Sequence, residues 1–230
     1  TITVINNIAD KVLNLTLKDV KIDVSDTGDQ YDWDQKGKAA LSVQGKGNVE
    51  IELDGNNELK SGVQRAGLEK NTSTSTGTLT LKDDNKEAGS LTATGGYNGA
   101  GIGGGNGDGA ENITITGGTV NATGNEDGAG IGGGSSGSGE NITITGGTVN
   151  VTGTINNIGS TFTLNNTTGS WNLLGGTISG GAVSIADGNT LVMTTTSGTL
   201  SNVAFGGEIL LPGSTSVVIA GTTTFVAARL

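Results

Sequence analysis

Apolar and polar residues alternate along most of this chain in short runs, and glycines separate the runs. In Asn112-Ile113-Thr114-Ile115-Thr116 the isoleucines fall on one side of an extended strand and the threonines on the other. After Gly117-Gly118, Thr119-Val120-Asn121-Ala122-Thr123 alternates in the same way, with Val120 and Ala122 on the inner side. Gly99-Ala100-Gly101-Ile102-Gly103 forms a third segment, with Ala100 and Ile102 inward and the glycines outward. No apolar stripe of 3.6-residue period reaches useful length, so the pattern predicts strands throughout and no helix of consequence.

The segments recur. Gly99 to Gly105 returns as Gly128 to Gly134, and Asn112 to Asn121 returns as Asn141 to Asn150; both shifts are 29 residues (128 − 99 and 141 − 112). Upstream, Leu79 and Leu81 take the places of Ile113 and Ile115, and Leu91 and Ala93 those of Val120 and Ala122. Val49 to Leu53 and Asn14 to Leu17 read as earlier copies of the same strand, with Lys21 to Val24 and Ala40 to Val43 completing the opening coil. Beyond about Ser160 the spacing tightens through Trp171 to Leu174, Ala182 to Ile185, Thr190 to Met193 and Val217 to Ile219.

Three strands per repeat, turning at glycine corners, describe one coil of an all-β solenoid. The reading is one solenoid over residues 1–230, with regular glycine-rich coils over 1–160 and divergent coils over 161–230. Roughly eight coils at about 4.8 Å per strand spacing make a rod about 40 Å long.

Composition narrows the chemistry. Glycine occupies 43 of 230 positions beside a single proline, without the three-residue period of collagen. Ordered apolar residues, 33% of the chain, exclude a flexible linker. With no histidine and no cysteine, no Ser-His-Asp triad, Cys-His pair or zinc finger can be built. A net charge of −10 argues against nucleic acid and anionic membrane as partners. No run approaches 18 consecutive apolar residues, so direct membrane insertion is not expected. The first residues, Thr1-Ile2-Thr3-Val4, already read as a strand, so any signal peptide or anchor is expected outside these 230 residues.

At the level of Gly99 to Gly105, Asn112 to Val120 and Asn121-Ala122-Thr123-Gly124, the chain resembles the glycine-rich repeats of secreted or surface-anchored prokaryotic proteins described as adhesin-like or carbohydrate-binding. The resemblance covers about residues 10–155. It implies a right-handed parallel β-helix, an extracellular or cell-surface location and, in some members, calcium-supported binding of acidic polysaccharide.

Four features are candidate sites. The acidic segment from Asp23 to Asp34 carries Asp26, Asp29, Asp32 and Asp34, whose carboxylates with Gly28 offer oxygens of the kind calcium takes, although the spacing is not that of an EF-hand. The same segment carries Tyr31 and Trp33, whose rings beside Asp32 and Asp34 suit the faces and hydroxyls of a sugar. Gly99, Gly101, Gly103, Gly128, Gly130 and Gly132 form a stretch without side chains that admits close approach of another backbone, from this chain, a partner rod or a polysaccharide. Thr114/Thr116, Thr143/Thr145 and Thr78/Thr80 form a threonine array of the type ice-binding solenoids display, broken at Glu50/Glu52, and Asn112 and Asn141 are in register for an amide ladder.

Catalysis is disfavoured. A lyase of this shape needs an arginine near a carboxylate cluster, and neither Arg65 nor Arg229 is expected beside one on the same face; Asp83-Asp84 is the only adjacent aspartate pair. The leading expectation is therefore a non-catalytic surface module that binds glycan or a host surface, with calcium as the candidate cofactor. The alternative is a stalk or filament segment that associates laterally or end to end.

Overall fold

The computed structural model describes residues 1–146, 148–166 and 168–226. The chain winds as a right-handed parallel β-helix. Each coil places one strand on each of three faces. The first coil uses Ile2–Ile5, Val12–Lys18 and Lys21–Asp23; the fourth uses Ile102–Gly103, Ala110–Ile115 and Thr119–Thr123. Eight coils place strand on all three faces, and a ninth begins with Val217–Ala220 and Thr224–Phe225. Every named strand in the described residues pairs in parallel with its counterpart in at least one neighbouring coil.

Alternation explains the core. On the second face Leu15, Ile51, Leu81, Ile115 and Ile144 stack in register, and on the third Leu59, Ala93, Ala122, Val151, Leu173 and Met193 do the same. On the first face Leu41, Leu68, Ile102 and Ile131 complete the column. Apart from half-buried Leu15, all of these are buried. Each large aliphatic chain contributes about 1.5–3 kcal/mol by leaving water. The repeat positions assigned from sequence to Leu79, Leu81, Leu91 and Ala93 are those found. The first-face strands are shorter than the seven-residue glycine segments suggest, only Ile102–Gly103 and Ile131–Gly132.

The second coil departs from three separate strands. Asn48–Lys60 is one 13-residue strand that turns the corner between the second and third faces without a loop. Asn57 makes that turn possible. Its side chain accepts from the Val20 N–H at 2.9 Å and donates to the carbonyls of Leu17, Asp54 and Ser90 at 3.2, 3.1 and 3.0 Å. Asn57→Ala leaves these buried groups unpaired and is expected to cost about 1–3 kcal/mol in denaturant unfolding; a change within about 0.5 kcal/mol would show that the bend is held by the ladders alone.

Beyond the fifth coil the cross-section shrinks. On the third face the step from Asn121 to Asn150 is 29 residues, followed by 22 to Asn172, 20 to Val192 and 18 to Leu210. The rings of Trp171 and Phe205 enter the interior: half-buried Phe162 meets Trp171 edge-on with centroids 4.5 Å apart, and exposed Phe225 lies 5.8 Å from Phe205.

Outward residues form ladders. Asn141 Nδ2 donates to Asn112 Oδ1 at 3.2 Å, and both residues adopt left-handed backbone, φ +50° and +55°. A second ladder, unforeseen from sequence, joins Asn121, Asn150 and Asn172 through bonds of 2.6 and 2.7 Å. Thr80, Thr114 and Thr143 are in register, but the next column continues through Lys82 and not Thr78. Lys82 Nζ reaches Glu50 at 3.4 Å and Asp84 at 3.2 Å, so charge interrupts the threonine array here as well as at Glu50 and Glu52.

Candidate functional site

The connection from the first coil to the second, residues 24–40, is the longest between consecutive coils; its counterparts 61–67, 95–101 and 124–130 are far shorter. Its base is pinned. Thr27 Oγ1 donates to the Val24 carbonyl and accepts from the Lys38 N–H at 2.8 Å, while the Val63 N–H donates to the Thr27 carbonyl and the Gly37 N–H to the Val63 carbonyl. Gly28, at φ +82°, packs against Gly37, where a Cβ would lie 2.5 Å from the Gly37 nitrogen. The loop is thus an anchored hairpin-like projection, closed by an antiparallel bridge between Asp29 and Asp32.

The carboxylates serve the loop itself. Asp29 Oδ1 accepts from the Tyr31 N–H at 2.9 Å, Asp32 Oδ1 from the Asp34 N–H at 3.1 Å, and Asp32 Oδ2 from Gln35 Nε2 at 2.8 Å. The first two are Asx turns. Asp26 and Asp34 are exposed, and among the described residues no three acidic side chains converge as a metal-binding group. What the loop presents outward is its rings: Tyr31 is 86% exposed and Trp33 58%.

Trp33 is tied to the solenoid wall through its backbone. Gln64 Nε2 donates to the Trp33 carbonyl at 3.2 Å, Gln64 Oε1 accepts from Asn106 Nδ2 at 3.3 Å, and Arg65 Nε donates to the Gly37 carbonyl at 3.1 Å. One network therefore links the loop to the corners of the third and fourth coils. Arg65 also stands 3.4 Å from Glu69 Oε1, a single carboxylate partner that the sequence reading did not name. The i, i+4 spacing carried that signal, but the helix-free corner that brings the two together is invisible in sequence. Arg229 lies outside the described residues.

Glu69 is not open to solvent. Its side chain is 4% exposed, Ser42 Oγ approaches Oε1 at 3.4 Å, and Oε2 is buried without a hydrogen-bond partner among the described residues. Burial pushes its carboxyl above the usual range, against the opposing pull of Arg65. Asp83 and Asp84 are likewise engaged: Asp83 Oδ2 accepts from the Gly89 N–H, and Asp84 pairs with Lys82, which holds its carboxyl below the usual range.

Gly99, Gly101, Gly103, Gly128, Gly130 and Gly132 are all buried. A Cβ on Gly101 would lie 2.5 Å from the Thr123 nitrogen, and one on Gly128 or Gly99 would overlap the carbonyl of the preceding coil. The backbone that approaches them is this chain's own, so they offer no free wall to a partner.

Residues 87–106 and 113–135 match the family model for the Beta helix repeat. The chain contains a β-helix repeat region. No curated protein and no solved structure matches it. The matched residues span the third-face strand of the third coil, most of the fourth coil and the first-face strand of the fifth, where the glycine corners and inward aliphatic residues are most regular. They exclude the 24–40 loop, so the match speaks for the scaffold and not for what the loop contacts.

Proposed function

We propose that the protein is a non-catalytic, extracellular binding module of the adhesin type, in which the solenoid carries the 24–40 loop as a platform for glycan chains. The observation that carries this reading is Trp33: its backbone is fixed to Gln64 while its ring, with that of Tyr31, faces solvent. An exposed aromatic on an anchored loop offers sugar faces a stacking surface with little ordering cost. Exposed Asp34 and half-buried Asp32, beside the rings, provide acceptors for hydroxyls.

Binding is favoured over chemistry because Glu69, the carboxylate that faces Arg65, is enclosed, with its side chain 4% exposed, and is held against that guanidinium away from solvent. Calcium is not required in this arrangement, since Asp29 and Asp32 already cap loop N–H groups.

A glycan array probed with the intact chain, in calcium and in EDTA, is expected to give a discrete set of bound glycans at similar strength in both. Incubation with pectin and alginate is expected to release neither reducing ends nor unsaturated products. Absence of any bound glycan, together with concentration-dependent assembly in sedimentation, would favour a stalk or filament segment; product release would favour an enzyme.

A further inference from the structure

Between the fifth and sixth coils the stack is closed on the first and third faces and open on the second. Asn150 and Val151 pair with Asn172 and Leu173, and Ala129 bridges to Thr154, whose carbonyl accepts from the Gly130 N–H at 2.9 Å. On the second face, however, among the described residues Gly139–Ile144 pairs only with Ala110–Ile115, and Thr161–Leu164 only with Ala182–Ile185. A groove of about 880 Å³ separates the two strands, within the size range of ligand cavities.

Both walls of this groove are backbone edges. In a parallel ladder alternate residues turn N–H and C=O to opposite sides. The Thr145 N–H donates to the Ile115 carbonyl, so Thr143 and Thr145 face the fourth coil and Ile142 and Ile144 direct their backbone groups into the groove. Opposite, the Ala182 and Ala186 N–H groups donate to the Ser160 and Leu164 carbonyls, which leaves Thr161 and Thr163 directing theirs into the groove. Ile142, Ile144, Phe162 and Trp171 give it an apolar floor, and the Trp171 Nε1–H is buried there without a partner among the described residues.

We propose that this groove binds an extended peptide segment as an added strand, the missing rung of the second face. Donors and acceptors at strand spacing on both walls are matched by another peptide backbone, whereas a sugar chain offers no such alternation. The floor calls for aliphatic residues at every second position of the guest, and the threonine-lined outer side for polar residues between them. Among the described residues Glu140 is the one charged residue lining the groove, so the guest is neutral to basic. The proposal is independent of the loop: neither Tyr31 nor Trp33 lines the groove.

The probe is a capped peptide, Lys-Asn-Ile-Thr-Ile-Thr-Gly, titrated into the full chain carrying Trp33→Phe so that fluorescence reports on Trp171 alone. A saturable change in Trp171 emission is expected, weakened at least about tenfold when the two isoleucine amides are N-methylated, because side chains are kept and ladder donors are lost. Thr163→Pro, which deletes an N–H facing the groove but none used by the Ala182–Ile185 ladder, is expected to weaken binding to a similar degree. The peptide comparison needs no variant at the groove to fold. Equal affinity of the N-methylated peptide, no saturable change at millimolar peptide, or the same emission change produced by alginate would each overturn the proposal.

Discussion

Lys70→Met is expected to stabilise the protein at pH 7 by about 1–4 kcal/mol in guanidinium unfolding, the range seen when buried charge gives way to apolar side chains of similar size. Lys70 follows the strand Leu68–Glu69, is fully buried, and its ammonium has no hydrogen-bond partner among the described residues. Burial holds that ammonium below the ordinary value of 10.5, with Glu111 pulling the other way. The unfolded chain therefore binds more protons than the native one between the native pKa and 10.5, and stability rises with pH across that interval. Methionine keeps the length of the stem, removes the charge, and should flatten this alkaline rise.

Glu69 gives the opposite slope: its carboxyl is raised above 4.5, so the native state holds the extra proton and stability falls as pH climbs from 4.5 through the native value. Glu69→Gln should flatten that limb. A less stable Lys70→Met protein with an unchanged pH profile would mean that the ammonium is satisfied in a way the packing does not reveal.

The second large effect concerns the glycines. Gly128→Ala is expected to cost at least about 3 kcal/mol, the upper end of overpacking effects. Its Cβ would overlap the carbonyl of Gly99, whose own missing side chain makes room for the carbonyl of Arg65 one coil earlier. The backbone of one coil thus rests directly on that of the next, and relief requires the coils to part. Gly159→Ala provides the contrast: nothing lies within 4 Å of its Cβ, and only the φ of +76° is unfavourable. That cost is roughly 1–2 kcal/mol. Comparable losses in thermal unfolding would show that local conformation, and not stacking of coils, selects glycine here.

The solenoid was legible because its rules are local and repeated. Ile113 and Ile115 alternate with threonines, return after 29 residues, and so announce both strand and coil. The same logic placed Leu79, Leu91 and the shortened coils after Ser160. What escaped was anything set by where a corner folds back. The glycines of 99–103 and 128–132 alternate with inward residues and so read as an outward wall, yet neighbouring coils cover them. The pairing of Arg65 with Glu69, and the tie from Gln64 to Trp33 31 residues away, depend on a corner conformation in which Gln64 itself has φ +65°. The acidic loop was visible as a loop, but the turns that Asp29 and Asp32 make by accepting from the backbone N–H two residues on were not. The open rung between Gly139–Ile144 and Thr161–Leu164 follows from the change of coil length near Ser160, a change the sequence shows without showing which face opens.

The central functional claim rests on the rings of the 24–40 loop, and calorimetric titration of Trp33→Ala with the strongest glycan from the array tests it most directly. The loop base is held by Thr27, Gly37 and Val63, so removal of the ring should leave the thermal unfolding temperature unchanged. The account predicts a loss of affinity of at least about tenfold, the worth of one aromatic stacking contact. Unchanged affinity in the folded Trp33→Ala protein would contradict it.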